Sequence, residues 1–316
     1  MVGRPQVTRG SLARAGRSAV AVRPPTAVEL MLLSTILLWA LNLTVTRYIL
    51  THGFAPLAFT TIRYGIAAAT FVVITLALEG TLRIGSGGLL LVVLAGLTLY
   101  VNQIGFVYAV KTTSASLVAL MLAAVPIFAA LIGLVLGTER LSGRFWAGAG
   151  LSFVGVGLVV LGTGGEISGD LGGVLLGLLT AGTWAVYSVM ITRLMRDYSP
   201  ARISAVVLPV AWVPIALTGW PQTQAQDLAL GPEVWALFLF ATFGPLVLTN
   251  FLWFHCLDRI GPARATLATN IQPFLAALFA VVLLSESLGG IQVAGGILIG
   301  AGILLARRRD PPVPAE

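Results

Sequence analysis

Charge is what this chain has least of. Only 10% of its 316 residues are Asp, Glu, Lys or Arg, against roughly a quarter in a soluble domain, which argues against a soluble fold. Cysteine occurs once, at Cys256, and histidine twice, at His52 and His255. A lone cysteine excludes an intrachain disulfide, and with two histidines it does not make a typical zinc site. No metal or other cofactor is expected. Acids are missing from the middle of the long apolar runs, since Glu79, Glu139 and Glu286 fall at run ends. This shortage of carboxylates, nucleophiles and metal ligands argues against a membrane-embedded enzyme, and no catalytic residues are assigned.

Apolar sequence is what the chain has in excess, at 57% of residues. With about 20 residues needed per crossing, there is room for some ten helices and no separate soluble domain. Apolar runs between turn signals predict spans near 30–50, 56–78, 88–110, 114–137, 144–162, 171–193, 203–219, 233–257, 263–284 and 289–306. The first is full length and lacks a small-residue cleavage site after it, so it does not read as a signal peptide. The basic tail of Arg4, Arg9, Arg14, Arg17 and Arg23, and the closing run Arg307, Arg308 and Arg309, place both termini in the cytoplasm of a plasma (inner) membrane. Alternating loops then put Arg83, Arg140, Arg144, Arg193, Arg196, Arg202, Arg259 and Arg264 inside and Lys111 outside. The net charge of +7 is thereby read as topology signal and contact with membrane lipid, and nucleic acid is not expected as a partner.

The second half repeats the first. Pro126, Glu139, Leu141, Gly143, Ala147 and Gly148 recur as Pro273, Glu286, Leu288, Gly290, Ala294 and Gly295, at a constant offset of 147 residues. The expected fold is an all-α integral membrane protein of ten transmembrane helices in two inverted-topology five-helix repeats. The divisions are a basic tail over 1–28, a first repeat over 29–162, an outer linker over 163–170, a second repeat over 171–306 and a tail over 307–316. An odd number of spans per copy turns the second copy over. One fold packed in two inverted conformations supplies inward- and outward-facing states of similar energy, as alternating access requires.

Candidate solute-binding residues come from polar stripes. Thr35, Trp39 and Asn42 in the first span echo Thr180, Trp184 and Tyr187 in the sixth, each trio on one helical face. Tyr100 with Gln103 in the third span and Asn250 with Trp253 in the eighth form a second set, and Gln103 and Asn250 are repeat equivalents. In the ninth span Asn270 replaces Ala123 of the first copy, near Thr266 and Thr269. Such residues line a cavity with a small-molecule substrate between the halves, or bond neighbouring helices as packing. Pro126 and Pro273 near span centres read as kinks. Arg63 has no carboxylate partner within a span. It reads either as an anion-attracting group for a carboxylate-bearing solute, or as a residue that snorkels or bonds helix-end carbonyls. Arg47 reads as snorkelling. His255 is the one near-neutral titrating candidate. The pairs Gly133/Gly137, Gly173/Gly177 and Gly296/Gly300 are expected to pack helices internally.

Several of these residues also carry a resemblance. Trp39 with Asn42, the run Gly105-Phe-Val-Tyr-Ala-Val-Lys-Thr-Thr-Ser-Ala-Ser116, Pro126 and Gly137-Thr-Glu-Arg-Leu141 resemble the repeat unit of the EamA family in the drug/metabolite transporter superfamily. Trp253, Leu257-Asp-Arg-Ile-Gly-Pro-Ala263, Pro273 and Leu284-Ser-Glu-Ser-Leu288 resemble it again in the second copy. The resemblance implies a ten-helix, two-repeat inner-membrane carrier that exports amino acids, other small metabolites or toxic compounds. It transfers no site residues and sets no cargo or oligomeric state. Glu139 and Glu286 match the family's helix-end acid, whose position suggests capping the next helix or bonding a loop. The alternatives are an organic-phosphate or nucleotide-sugar exchanger of the same superfamily, which should present several cavity-facing cations, and a channel or sensor.

Overall fold

The computed structural model describes residues 26–137, 142–162, 167–260 and 269–307. The tail up to Arg23, Glu139 and Arg140, linker residues 163–166, Arg264, Thr266 and the end from Arg308 lie outside them. No strand occurs among the described residues. The helices are α1 (Ala27–Thr51), α2 (Pro56–Glu79), α3 (Ser86–Thr112), α4 (Ala115–Leu122), α5 (Val125–Val135) and α6 (Gly143–Leu161). The second half continues with α7 (Ile167–Leu194), α8 (Pro200–Ala225), α9 (Pro232–Thr242), α10 (Thr249–Ile260), α11 (Gln272–Leu284) and α12 (Gly290–Arg307). A π-helical stretch, Phe243–Leu248, joins α9 to α10, and a 3-10 turn, Thr269–Ile271, precedes α11.

Among the described residues, seven segments are long and apolar enough to cross a membrane: α1, α2, α3, Ala115–Val135, Leu171–Leu194, α8 and Pro232–Trp253. Three shorter apolar helices also occur among the described residues, at Gly143–Val159, Gln272–Leu284 and Gly290–Leu305. Their outward faces carry large apolar residues, among them Leu78, Leu90, Leu217, Val282 and Ile297, all more than half exposed. A surface of this kind is stable against lipid rather than water.

Two expected spans are not single helices. The run at 114–137 breaks at Ala123–Ala124 into α4 and α5, and the run at 233–257 passes through the π stretch. The expectation that Pro126 and Pro273 kink continuous helices needs the same correction. Each sits in the first turn of a new helix, α5 or α11, where its missing N–H would have had no helical acceptor. Gly137 also departs from the packing expectation. Its φ of 68° ends α5, with open space around it, whereas Gly173, Gly177, Gly296 and Gly300 lie close against Thr113, Met121, Leu120 and Phe274.

The packing exchanges equivalent helices between the halves. α1 packs on α9, α10 and α11, while its counterpart α7 packs on α3, α4 and α5. The remaining equivalents pair with each other, α2 with α8 and α6 with α12. Along α6 and α12 the contacts run in opposite directions: Gly148 meets Gly302, Gly155 meets Gly295 and Gly162 meets Gln292. A Cβ on Gly155 would lie 2.6 Å from the carbonyl oxygen of Gly295, and one on Gly295 would lie 2.6 Å from that of Gly155. α2 and α8 are antiparallel too, with Gln222 at Leu57, Trp212 at Gly65 and Arg202 at Glu79.

Helix ends are tied across the bundle. Arg47 donates to the carbonyls of Val110 and Lys111 at 2.7 and 2.6 Å, and Lys111 donates to that of Leu50 at 2.6 Å. Each cation serves the C-terminus of the other's helix, where the dipole favours positive charge; Arg47 caps rather than snorkels. Glu286 accepts from Ala115 N (2.9 Å), Ser116 N (3.0 Å) and Ser116 Oγ (2.5 Å). It therefore caps α4 in the other half, not the helix that follows it. At the other end of α2, Glu79 accepts from Ser199 Oγ and pairs with Arg202 at 2.7 Å.

Candidate functional site

The site begins with a proline. Pro245 has no N–H, so the carbonyl of Ala241, four residues earlier, lacks its usual α-helical donor. The backbone there widens into the π stretch Phe243–Leu248, a distortion that recurs at functional positions. Arg63 of α2 supplies the missing donors. Its Nε and Nη2 reach Ala241 O at 3.1 and 2.8 Å, and Nη2 also donates to Asn42 Oδ1 at 3.2 Å. The Arg63 Cζ lies 5.5 Å from the centre of the Phe59 ring, and the residue is only 4% exposed. Arg63 does not snorkel: it bonds a carbonyl in the last turn of α9.

Trp39 joins the same region from α1. Its Nε1 donates to Thr249 Oγ1 at 2.9 Å, and its ring centre lies 5.3 Å from that of Trp253, with the planes at 55°. Trp39 of the first half thus meets Thr249 and Trp253 of the second, and Arg63, bonded to Asn42, meets Ala241. Asn250, the neighbour of Thr249, turns its amide back onto Leu246 O at 2.5 Å, inside the π stretch.

A second polar group links α3 to α7. Asn102 Nδ2 donates to Thr180 O at 2.8 Å and to Thr183 Oγ1 at 3.2 Å, and Gln103 Nε2 donates to Asn102 Oδ1 at 2.8 Å. Both amides are buried. Tyr100 and Tyr187 pack on one apolar cluster together with Tyr64, Leu246 and Phe251. Trp184 is 37% exposed and lies 5.4 Å from Tyr187 between ring centres. Thr35 and Thr180 return their hydroxyls to the carbonyls of Met31 and Leu176 one turn back. Asn270 falls in the 3-10 turn before α11, and its side chain lies outside the described residues. His255 is exposed on α10.

The sequence stripes missed Asn102, Thr249 and the Ala241 carbonyl. Asn102 and Thr249 are themselves repeat equivalents at the 147-residue offset, overshadowed by the matched amides Gln103 and Asn250 beside them. The signal for Thr249 and the Ala241 carbonyl was Pro245: a proline inside an apolar span frees the carbonyl four residues before it, and Thr249 follows it by one turn. With cationic, amide and indole groups, the arrangement can hold a solute through hydrogen bonds, charge and apolar contact.

Apolar helices in two equivalent sets, with buried polar groups joining them, define a multi-pass membrane protein of the transporter class. The chain belongs to the EamA-like transporter family, whose sequence model matches it twice, at residues 26–161 and 171–308. It is 27% identical over 288 residues to a probable amino-acid metabolite efflux pump of Salmonella typhimurium, covering 86% of this chain and 92% of that protein. It is 24% identical over 285 residues to a probable amino-acid metabolite efflux pump of Escherichia coli, with the same coverage of 86% and 92%. An uncharacterized transporter of Archaeoglobus fulgidus is 27% identical over 204 residues, 64% of this chain and 70% of that one. A crystal structure with 23% sequence identity shares the fold with a TM-score of 0.61, covering 90% of this chain and 99% of its own.

Proposed function

We propose that this membrane transporter is an inner-membrane exporter of small metabolites, such as amino acids or amphipathic compounds, working by alternating access. The observation that carries this reading is the joining of the two halves by polar groups: Trp39 on Thr249 and Trp253, and Arg63, bonded to Asn42, on Ala241. A solute held there touches both repeats, so a shift of one against the other changes which side it faces. The antiparallel pairing of equivalent helices, α2 with α8 and α6 with α12, supports an inverted repeat of five spans per half. The basic tails support cytoplasmic termini. Trp39, Asn42, Tyr100, Gln103, Trp184, Tyr187, Asn250, Trp253 and Asn270 are the proposed lining, with Arg63 as an anion-attracting group.

The test is counterflow in proteoliposomes with a panel of radiolabelled amino acids and small organic solutes, with and without a pH gradient. Saturable exchange of one class is the expected result, and its loss in the Gln103→Leu, Asn250→Leu double variant, with the protein still folded, ties it to the lining. Unsaturable high flux would mean a channel instead. Unchanged kinetics in the double variant would remove both amides from the site.

A further inference from the structure

Arg63 has a buried charge and an incomplete set of partners. A guanidinium carries five N–H donors and cannot lose its proton in a protein, so burial demands acceptors or a counter-charge. Three of the five are used, one from Nε and two from Nη2, on Ala241 O and Asn42 Oδ1. Nη1 has no hydrogen-bond partner among the described residues. Among the described residues the sealed side-chain atoms that lack partners are the hydroxyls of Thr44, Thr46, Thr75 and Thr113, so Nη1 is not fully closed off. No described carboxylate bonds the group: Glu79 is held by Arg202 and Ser199, Glu286 by α4 and Glu29 by Thr26. The edge on Ala241 fixes the orientation of the guanidinium before any solute arrives, which lowers the ordering cost of binding.

We propose that Arg63 is the anion anchor of the solute site and that the preferred cargo carries one net negative charge, a monocarboxylate with an apolar body. This deepens the transporter reading and rests on it. The carboxylate accepts from Nη1, a charge-assisted contact stronger than one between neutral groups, and the tilted ring pair of Trp39 and Trp253 takes the apolar remainder. One cation with the Asn42 amide beside it balances a single charge. Among the described residues a phosphate dianion finds no second cation bonded beside Arg63, and the ammonium of a zwitterion finds no carboxylate there.

Three probes of similar shape separate the charge classes: 3-phenylpropanoate, phenylalanine and phenylalaninamide. Their binding to the purified full-length protein in detergent is followed by quenching of tryptophan fluorescence, and saturable transport is measured separately by counterflow. The expected order is monoanion, then zwitterion, then cation, with at least about tenfold between the first and the last. Arg63→Gln brings the three within about threefold, whereas Arg63→Lys keeps the order with weaker binding. If Arg63→Gln fails to fold, the wild-type order decides alone. Equal or tighter binding of the amino acid or the amide by the wild type overturns the proposal, as does an unchanged order in a folded Arg63→Gln protein. Saturable counterflow without preference for the anion sinks the anchor and leaves the carrier standing. Anion-selective binding without saturable counterflow of any solute sinks the carrier and leaves the anchor.

Discussion

The third apolar run of each half occupies the same repeat position and takes a different shape. α3 runs unbroken from Ser86 to Thr112, while its counterpart passes from α9 through a π stretch into α10. At the repeat offset of 147 residues, Pro245 stands where α3 has Thr98, and Ala241 where α3 has Leu94. Thr98 keeps its N–H, and its hydroxyl also donates to Leu94 O at 2.8 Å. In the second half the equivalent carbonyl turns to Arg63, from a helix 178 residues away in sequence. One proline therefore converts a local hydrogen bond into a link between the halves, and in doing so holds a cation inside the bundle.

The strongest way to break that contrast is Arg63→Met, which leaves Ala241 O and Asn42 Oδ1 without their donor. A loss of about 2–3 kcal/mol is expected, measured by unfolding in detergent. Placing threonine at the proline sharpens the comparison, since Pro245→Thr returns an N–H to Ala241 O as in α3. In that background the cost of Arg63→Met should fall by about 1–2 kcal/mol, read from a double-mutant cycle; additive costs would mean that the proline and the cation are independent. A smaller effect is expected for Asn102→Leu, which cuts the tie from α3 to α7 at about 1–2 kcal/mol. Smallest is Asn250→Leu, at or below about 0.6 kcal/mol, because this amide bonds only the preceding turn of its own segment. Equal unfolding costs for the two asparagine variants would remove the distinction between a bridging and a back-folded amide.

The apolar runs and the duplication were legible because membrane burial acts on composition over whole segments, and a constant offset survives local change. Pro126 and Pro273 were legible as interruptions, yet their role as helix starts was not, since that depends on the turns at Ala123–Ala124 and Thr269–Ile271 just before them. Trp39, Asn42 and Trp253 were singled out by spacing; the two indoles come together, and Asn42 bonds Arg63. The partners of Arg63 and Glu286 were hidden for a common reason: both bind backbone groups, Ala241 O and the first amides of α4, which any residue type supplies. Gln103 was found because an amide stands at its position in both copies, whereas Asn102, which makes the bridge to α7, is matched by a threonine, Thr249.

The seam between α6 and α12 has a consequence for how the two copies of this sequence can change. The glycine contacts across it are repeat equivalents of each other, Gly148 with Gly302 and Gly295 with Gly155, as in the self-complementary interface of a symmetric dimer. Fusion into one chain lets each copy vary separately almost everywhere else. Here a methyl group added to either copy lands on the backbone of the other, so the fused halves still obey a homodimer's rule: the room each has is set by its own twin.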